Sequence, residues 1–226
     1  MLPEEAAHHA VHVLRVRVGD EITLFNGRGG EYAARIAAAE RLKLTADVLE
    51  HRAIDREPPL EVVLVQGVSS GERMDFTIRK AVELGVAEIR PVLAAASVAR
   101  PKGERAAARQ AHWQKVAVAA CEQCGRNRVP RVHALITMEN YQQEKTDRTS
   151  CILLSPQAEL KFSDACKSVN QRVILAAGPE AGFSAQEEAR FLEAGFVPAK
   201  LGPRVLRTET AALAALAALN ALRGDF

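Results

Sequence analysis

The chain has 226 residues, of which 48% are hydrophobic and 26% are charged, and its formal net charge is +2. A chain of this length supports one large domain or two modest ones, with a core that needs neither disulfides nor a structural metal. Its four cysteines do not suggest a disulfide scaffold, and no apolar run approaches the roughly 18 residues of a membrane span.

The charges are unevenly distributed along the chain. The first residues, MLPEEAAHHA, are acidic and lack the basic and then apolar order of a signal peptide, so we expect a cytoplasmic protein. Residues 100–131 contain eight Lys and Arg against two Glu, whereas residues 1–60 contain eight Lys and Arg against ten Asp and Glu. The basic segment suits a phosphate-rich partner such as RNA, although a solvated helix face carries similar charges.

Short strands are expected in the first 50 or so residues. Gly19-Asp20 lies within an alternating segment and is typical of a hairpin turn, and the glycines of NGRGG at 26–30 supply a second turn. Period-two alternation then places four apolar residues on one face of a strand, namely Leu42, Leu44, Ala46 and Val48. These features predict a small β-barrel or sheet, and the polar stretch 51–59 is interpreted as a linker.

Apolar strands alternate with helices in the rest of the chain. Strands are predicted at LEVVLVQGV, AEIRPVLAA, CILLSP, RVILAAG and VPAKLG. Helices are predicted at ERMDFTIRKAVEL, which ends before a capping Gly85, at about 104–124, at SAQEEARFLEAGF and at 208–222. This order is typical of an α/β fold with a parallel sheet covered on both faces. In such sheets ligands bind beyond the carboxyl ends of the strands.

Three loops follow apolar strands and are candidates for ligand binding: residues 153–157, 176–188 and 201–210. In the second loop, Gly178 and Gly182 allow close approach of the backbone, and Ser184 with Glu187 is typical of a capping box. An ordinary strand-to-helix turn is the alternative interpretation of this loop. The chain has neither the dinucleotide-binding G-x-G-x-x-G motif nor a phosphate-binding loop with its lysine.

The third loop contains residues that a helix start explains only in part. Thr208 or Thr210 is expected to cap the last helix, and Glu209 suits its positive end. Arg207 does not fit, because a cation just before a helix N-terminus is unfavourable by roughly 0.3–1 kcal/mol. An arginine there is useful if a nearby group is negative or becomes negative.

Five segments have distinctive patterns: HHAVHVLRVRVGDEITLFNGRGGEY, RMDFTIRKAVELGVAEIRPV, ACEQCGRNRVPRV, GPEAGFS and LGPRVLRTETA. They resemble the RsmE family of ribosomal RNA methyltransferases, in the SPOUT superfamily, and the resemblance covers nearly the whole chain. One departure is Ala181, where the family usually has a Gly-Pro-Glu-Gly-Gly sequence. The extra methyl group could tighten the cofactor pocket, and we expect it to be tolerated.

The resemblance implies a fold and an activity that composition does not reveal. Residues 1–56 are expected to form a PUA-like β-barrel that binds RNA, and residues 60–226 a SPOUT methyltransferase domain with a C-terminal trefoil knot. The implied cofactor is S-adenosylmethionine (SAM), bound in the knot. The implied product is N3-methyluridine in the decoding region of 16S rRNA, within the small ribosomal subunit. The implied assembly is a homodimer with its active site near the interface.

Roles for residues of the three loops follow from this resemblance. Arg207 is the candidate catalytic residue, because a guanidinium can hold the negative charge that develops on uridine as its N3 loses a proton. Glu180 and Glu209 are candidates for the general base. Thirteen residues are expected to contact SAM: Leu153, Leu154, Ser155, Ala177, Gly178, Pro179, Glu180, Gly182, Leu201, Gly202, Val205, Leu206 and Thr210.

Basic side chains outside these loops are candidates for RNA contact, with a solvated surface as the alternative interpretation. They are Arg28, Lys80, Arg105, Arg109, Arg126 and Arg128. No metal site is expected, because Cys121 and Cys124 share an apolar helix stripe with Trp113 and lack two further ligands at zinc spacing. The histidines at 8, 9 and 12 are interpreted as structural or RNA-facing.

Two other functions stay open at this point. A SPOUT ribose 2′-O-methyltransferase would use the same fold and cofactor, whereas a non-catalytic ribosome assembly factor would bind RNA without SAM. The leucines at 213, 216, 219 and 222 of the last helix are explained either by core packing or by a dimer interface.

Overall fold

A computed structural model of the chain describes residues 1–12, 14–40, 43–97, 100–141, 149–224 and 226. The chain divides into two compact units. The first comprises residues 1–56 and 127–129, and the second comprises residues 57–126 and 130–226. Among the described residues, no helix has both the length and the apolar character that crossing a bilayer requires.

The first unit is a three-stranded antiparallel sheet with one helix. Its elements are α1 (Glu4–His12), β1 (Glu21–Leu24), β2 (Glu31–Glu40) and β3 (Lys43–Arg52), and the strand order is β1-β2-β3. The core is formed by Ala7 and Ala10 of α1, which pack against Ile36 and Leu44 of the sheet. Alanines three residues apart lie on the same side of a helix, so α1 buries this side against the strands.

The structure corrects two expectations for this unit. The strand expected before Gly19 is absent from the described residues, and the segment that contains the three N-terminal histidines is α1 instead. On β3, Leu44 is buried, whereas Val48 is 61% exposed, so the predicted alternation fails after the middle of the strand. Leu42 lies outside the described residues. The turn at 26–30 pairs with residues 127–129, because the Gly29 amide donates to the Asn127 carbonyl at 3.0 Å.

The second unit contains one parallel sheet, as the sequence predicts. Its strands are β4 (Glu61–Gly67), β5 (Glu88–Leu93), β6 (Arg131–Val132), β7 (Ile136–Thr137), β8 (Thr149–Leu154), β9 (Arg172–Ala177) and β10 (Val197–Ala199). The helices are α2 (Gly71–Glu83), α3 (Glu104–Cys124), α4 (Phe162–Ala165), α5 (Ala185–Glu193) and α6 (Thr208–Arg223). The strand order is β10-β8-β9-β4-β5-β6, and β7 also pairs with β5. The central strands are buried on both faces, as near-continuous Val, Ile and Leu predict.

Two helix ends have the capping residues that the sequence predicts, and a third does not. Gly85 follows α2 with a φ of +79°, which confirms its predicted capping position. Ser184 and Glu187 form both hydrogen bonds of the predicted capping box at α5. The prediction that a threonine caps α6 is wrong, because Arg207 occupies the capping position and Thr208 is the first helical residue.

The chain returns across the sheet before its last helix. β10 lies at one edge of the sheet, whereas α6 packs against β9, β4 and α2. The segment 200–207 therefore crosses the end of β8 to reach the middle of the sheet. A trefoil knot requires a return of this kind, and the knot itself stays a prediction.

Cys121 of α3 lies in the core, whereas Cys124 is partly exposed. Trp113, Ala117 and Cys121 are buried on one side of α3, which confirms the apolar stripe. Burial raises the pKa of the Cys121 thiol to about 12, so this thiol is neutral at physiological pH. Within the described parts of the chain, no three His, Cys, Asp or Glu side chains cluster as metal ligands.

Arg126 is a buried structural residue, which corrects its expected role in RNA contact. Its side chain is 6% exposed. The guanidinium pairs with the carboxylate of Glu57 and donates to the carbonyl oxygens of Val82 and Val86, at 2.8 and 3.0 Å. These carbonyls flank the end of α2, so Arg126 supplies the hydrogen bonds that the helix end lacks. A side chain held in this way is not available to a phosphate.

Arg126→Ala should lower the free energy of unfolding by about 3–5 kcal/mol, because it leaves a partly buried carboxylate and two carbonyls without their partner. Arg128→Ala is the matched control: that guanidinium is half exposed and lies 3.7 Å from Asp55, so the expected loss is about 1 kcal/mol or less. Urea denaturation of both variants checks this prediction. Equal losses of unfolding free energy would show that the buried contacts of Arg126 stabilise the fold no more than an exposed ion pair does.

Candidate active site

A cavity of about 350 Å³ lies at the carboxyl ends of β8, β9 and β10. Its walls come from residues 154–157, 177–183 and, apart from Pro203, 199–206, together with Glu188 of α5 and two residues of α6. Its size lies in the range of about 300–1,000 Å³ that is usual for small-molecule sites. The position is the one expected for a ligand in an open parallel sheet.

The three predicted loops meet at this cavity. Eleven of the thirteen residues expected to contact SAM line it: Leu154, Ser155, Ala177, Gly178, Pro179, Glu180, Gly182, Leu201, Gly202, Val205 and Leu206. Leu153 does not, because its side chain is fully buried in the core beneath the strand ends. Thr210 does not either, because it is an exposed residue of α6.

Sequence reasoning missed several residues of the cavity wall. Thr208 lines the cavity, and its hydroxyl donates to the Gly178 carbonyl instead of capping α6. Lys200 and Arg204 bring positive charge to the wall, and Glu188 brings negative charge. Thr208 is adjacent to Arg207, which the sequence singles out, so its place near the site was recognisable from the sequence. Nothing in the local sequence singles out Lys200 or Glu188.

The loop 178–182 lies directly against the end of β4. A Cβ atom on Gly67 would lie 2.4 Å from Cδ of Pro179 and 2.5 Å from its nitrogen. A Cβ atom on Gly178 would lie 2.9 Å from Cα of Gly182, so the loop also closes tightly on itself. Both positions require glycine because the backbones approach too closely for a side chain.

Glu180 connects this loop to the start of α2. One oxygen of its carboxylate accepts from the amide of Ser70 at 2.8 Å and from the guanidinium of Arg73 at 3.1 Å. Burial acts to raise the pKa of Glu180, but these hydrogen bonds outweigh it and lower the pKa below its usual value. The carboxylate is therefore ionised at neutral pH and is a poor proton acceptor. Its contribution to stability is complete above the usual glutamate pKa and is lost as the pH falls through the lowered value.

Glu187 holds the other end of the same loop. Its carboxylate accepts from the Ser184 amide at 2.8 Å and from the Ala95 amide at 2.7 Å. The first bond belongs to the capping box, and the second fixes the segment that follows β5. Two carboxylates thus anchor the loop on both sides, one at α2 and one after β5.

Arg207 is exposed and lies between two residues of the cavity wall, Leu206 and Thr208. Its own side chain does not line the cavity of the single chain. Glu209 is partly buried, and one oxygen of its carboxylate has no hydrogen-bond partner among the described residues. Both candidate groups thus lie at the start of α6, next to the wall residue Thr208, and neither lines the cavity.

The remaining candidates for RNA contact lie in three places. Arg28 and Arg128 are exposed in the first unit, where their backbones form an antiparallel bridge. Arg105 and Arg109 are exposed on α3. Lys80, on α2, donates to both carboxylate oxygens of the Glu83 side chain.

Family models match both parts of the chain. A model described as an RNA methyltransferase domain matches residues 56–220, and one described as an RNA methyltransferase PUA domain matches residues 2–49. The parallel sheet with a cavity at its carboxyl edge is therefore the catalytic domain of an RNA methyltransferase.

Curated relatives and solved structures show to which family of RNA methyltransferases the chain belongs. Ribosomal RNA small subunit methyltransferase E of Bacillus subtilis is 34% identical over 98% of this chain and 91% of its own length. The Neisseria gonorrhoeae protein of the same name, solved bound to S-adenosyl methionine, is 41% identical with a TM-score of 0.91, covering 100% of this chain and 92% of that one. A Legionella pneumophila protein solved with bound SAM is 36% identical with a TM-score of 0.93, at the same coverage. The chain belongs to the family of ribosomal RNA small subunit methyltransferase E, the RsmE family.

Gly67→Ala should displace the loop 178–182 and lower the free energy of unfolding by about 1–3 kcal/mol, the usual scale of overpacking. Gly71→Ala is the matched control, because a Cβ there would meet only the guanidinium of Arg109 at 3.6 Å, so we expect a change within about 0.5 kcal/mol. Chemical denaturation and amide hydrogen exchange of the loop check both. Unchanged exchange in Gly67→Ala would contradict the close approach.

Proposed function

We propose that this chain is a SAM-dependent methyltransferase that methylates N3 of a uridine in the decoding region of 16S rRNA. The observation that carries the proposal is the cavity at the carboxyl ends of β8, β9 and β10, built by the three loops that the sequence singles out. Membership of the RsmE family and two SAM-bound relatives support the same cofactor and substrate class.

The cavity wall has the chemistry that SAM requires. Leu154, Leu201 and Leu206 supply apolar surface from two loops, which suits an adenine ring. Lys200 and Arg204 are suited to the carboxylate of the methionyl part, and Glu188 is suited to its ammonium group. When bound, SAM supplies an electrophilic methyl group on a positively charged sulfur. The chain's own task is to align that group with the acceptor.

We assign Arg207 to the developing negative charge on the base. N3 of uridine is a poor nucleophile until its proton leaves, and the charge then spreads to the two flanking carbonyl oxygens. A guanidinium beside the cavity stabilises that charge as an oxyanion hole does. This role also gives a reason for a cation at the N-cap of α6, where the helix dipole disfavours it.

Of the two carboxylates considered as the general base, Glu209 fits better than Glu180. Glu180 accepts two hydrogen bonds, and its lowered pKa weakens it as a proton acceptor. Glu209 lies two residues from Arg207 and, like Glu180, has one carboxylate oxygen without a partner in the described part of the chain. We therefore assign removal of the N3 proton to Glu209.

RNA binding and assembly belong to the same proposal. Exposed Arg105 and Arg109 on α3 are assigned to phosphate contact, and so are Arg28 and Arg128 of the first compact unit. The domain boundaries that we propose are 1–56 and 60–226. A homodimer that acts in the cytoplasm on the small ribosomal subunit fits the exposed Val205 and Leu222, whereas Leu216 and Leu219 belong to the core.

Small ribosomal subunits that lack the modification should acquire one methyl group when incubated with the protein and radiolabelled SAM. Digestion to nucleosides and mass spectrometry should identify N3-methyluridine. A 2′-O-methylated nucleoside would indicate a ribose methyltransferase instead. RNA binding without methyl transfer would indicate an assembly factor, and either result would overturn the proposed reaction.

Arg207→Ala should lower the rate of methyl transfer by about 10² or more, the scale for losing one donor to a developing oxyanion. Its affinity for SAM should stay close to that of the wild-type protein, because the side chain does not line the cavity. Arg190→Ala, an exposed position on α5, is the matched control and should leave both quantities unchanged. Calorimetry and single-turnover assays check this. Loss of SAM binding with normal turnover of the bound cofactor would contradict the assignment.

A further inference from the structure

Gln66 is a polar residue in a place where the sheet is otherwise apolar. It is the last residue but one of β4, its side chain is 0% exposed, and its neighbours on β4 include Val63, Leu64 and Val65. It does not line the cavity. A buried amide is unfavourable unless its hydrogen bonds are satisfied, so Gln66 is expected to have hydrogen-bond partners.

The amide nitrogen of Gln66 lies among acceptors from three separate segments. It is 3.0 Å from the carbonyl oxygen of Gly67, 3.1 Å from the hydroxyl of Thr208 and 3.4 Å from the carbonyl oxygen of Gly178. The Thr208 hydroxyl donates in turn to the same Gly178 carbonyl. The result is a buried chain of hydrogen bonds that runs from β4 through the start of α6 to the loop after β9.

These contacts join two walls of the cavity from behind. Gly178 belongs to the wall 177–183, and Thr208 lines the cavity two residues after the wall segment that ends at Leu206. The two segments are about thirty residues apart in the chain, and Gln66 contacts both. Its side chain therefore fixes the distance between two walls that it does not itself form.

Stability alone does not explain the amide. Its oxygen has no hydrogen-bond partner among the described residues. A methionine of similar length would fill the same volume without leaving a buried polar atom unpaired. The amide group is thus better explained by the segments that its nitrogen holds than by packing of β4.

We propose that Gln66 is a positioning residue that sets the spacing of the 177–183 and 199–208 segments and thereby the affinity of the cavity for SAM. This inference rests on the proposed function for the identity of the ligand. It concerns a residue outside the cavity and the three loops, and it makes the end of β4 a determinant of cofactor affinity.

Gln66→Met tests the proposal, because methionine keeps the length of the side chain and removes the donor. Asn220→Leu is the matched control: Asn220 is also a buried amide with an unpaired oxygen, and its nitrogen donates to the Leu84 carbonyl at the end of α2. Three quantities are measured for both: the Kd for SAM by calorimetry, the Tm, and amide hydrogen exchange of the ligand-free protein in residues 177–183 and 199–208.

Gln66→Met should raise the Kd for SAM by about tenfold or more, the scale of one buried hydrogen bond. It should also speed exchange in both segments. Asn220→Leu should lower the Tm at least as much while it leaves the Kd and the exchange of these segments near wild type. Wild-type Kd and exchange in Gln66→Met would overturn the proposal, and so would equal changes in the two variants.

Two further cases are decided by separate measurements. If Gln66→Met does not fold, Thr208→Val breaks the same chain of hydrogen bonds at its second member, and it should speed exchange in residues 177–183. Thr208→Ser should restore slow exchange, and failure to do so overturns the proposal. If the wild-type protein does not bind SAM, the proposed function fails, and the exchange data still decide whether Gln66 positions the two segments.

Discussion

The segment 178–182 crosses the end of β4 so closely that no side chain fits at residue 67, where a Cβ atom would lie 2.4 Å from Pro179. One residue earlier, the buried amide of Gln66 contacts both this segment and the start of α6. Two walls of the cavity depend on this crossing, because the segment brings Gly178 to Thr208 and Glu180 to the start of α2. A shift at the end of β4 would therefore reach both the loop after β9 and the start of α6.

The charges around the cavity fall into two classes with different consequences. The carboxylates of Glu180 and Glu187 accept hydrogen bonds from backbone amides and thereby hold the loop 178–184 in place. Arg207 is exposed beside the cavity. We propose that its guanidinium stabilises a negative charge that appears only during the reaction, whereas the two carboxylates act on the structure of the loop.

The sequence predicts those features of the fold that depend on local chemistry. The end of α2 at Gly85, the capping box of α5 and the apolar stripe of α3 are confirmed, because each depends on residues within a few positions of one another. Burial of Arg126 depends on Glu57, which is distant in the chain, and local pattern does not reveal it. The same holds for Thr208, whose hydroxyl bonds to Gly178 instead of its own helix. The loops of the site were recognisable because glycine and proline interrupt apolar strands, whereas Lys200 and Glu188 reach the cavity only through the fold.

The most direct test of this account is a crystal structure of the protein grown with SAM. We predict that SAM lies within the cavity, in contact with residues 154–157, 177–183 and 199–206. Behind the cavity, Gln66 should keep its hydrogen bonds to Thr208 and Gly178. SAM bound elsewhere on the chain, or a cavity closed by its own loops in crystals that contain SAM, would contradict it.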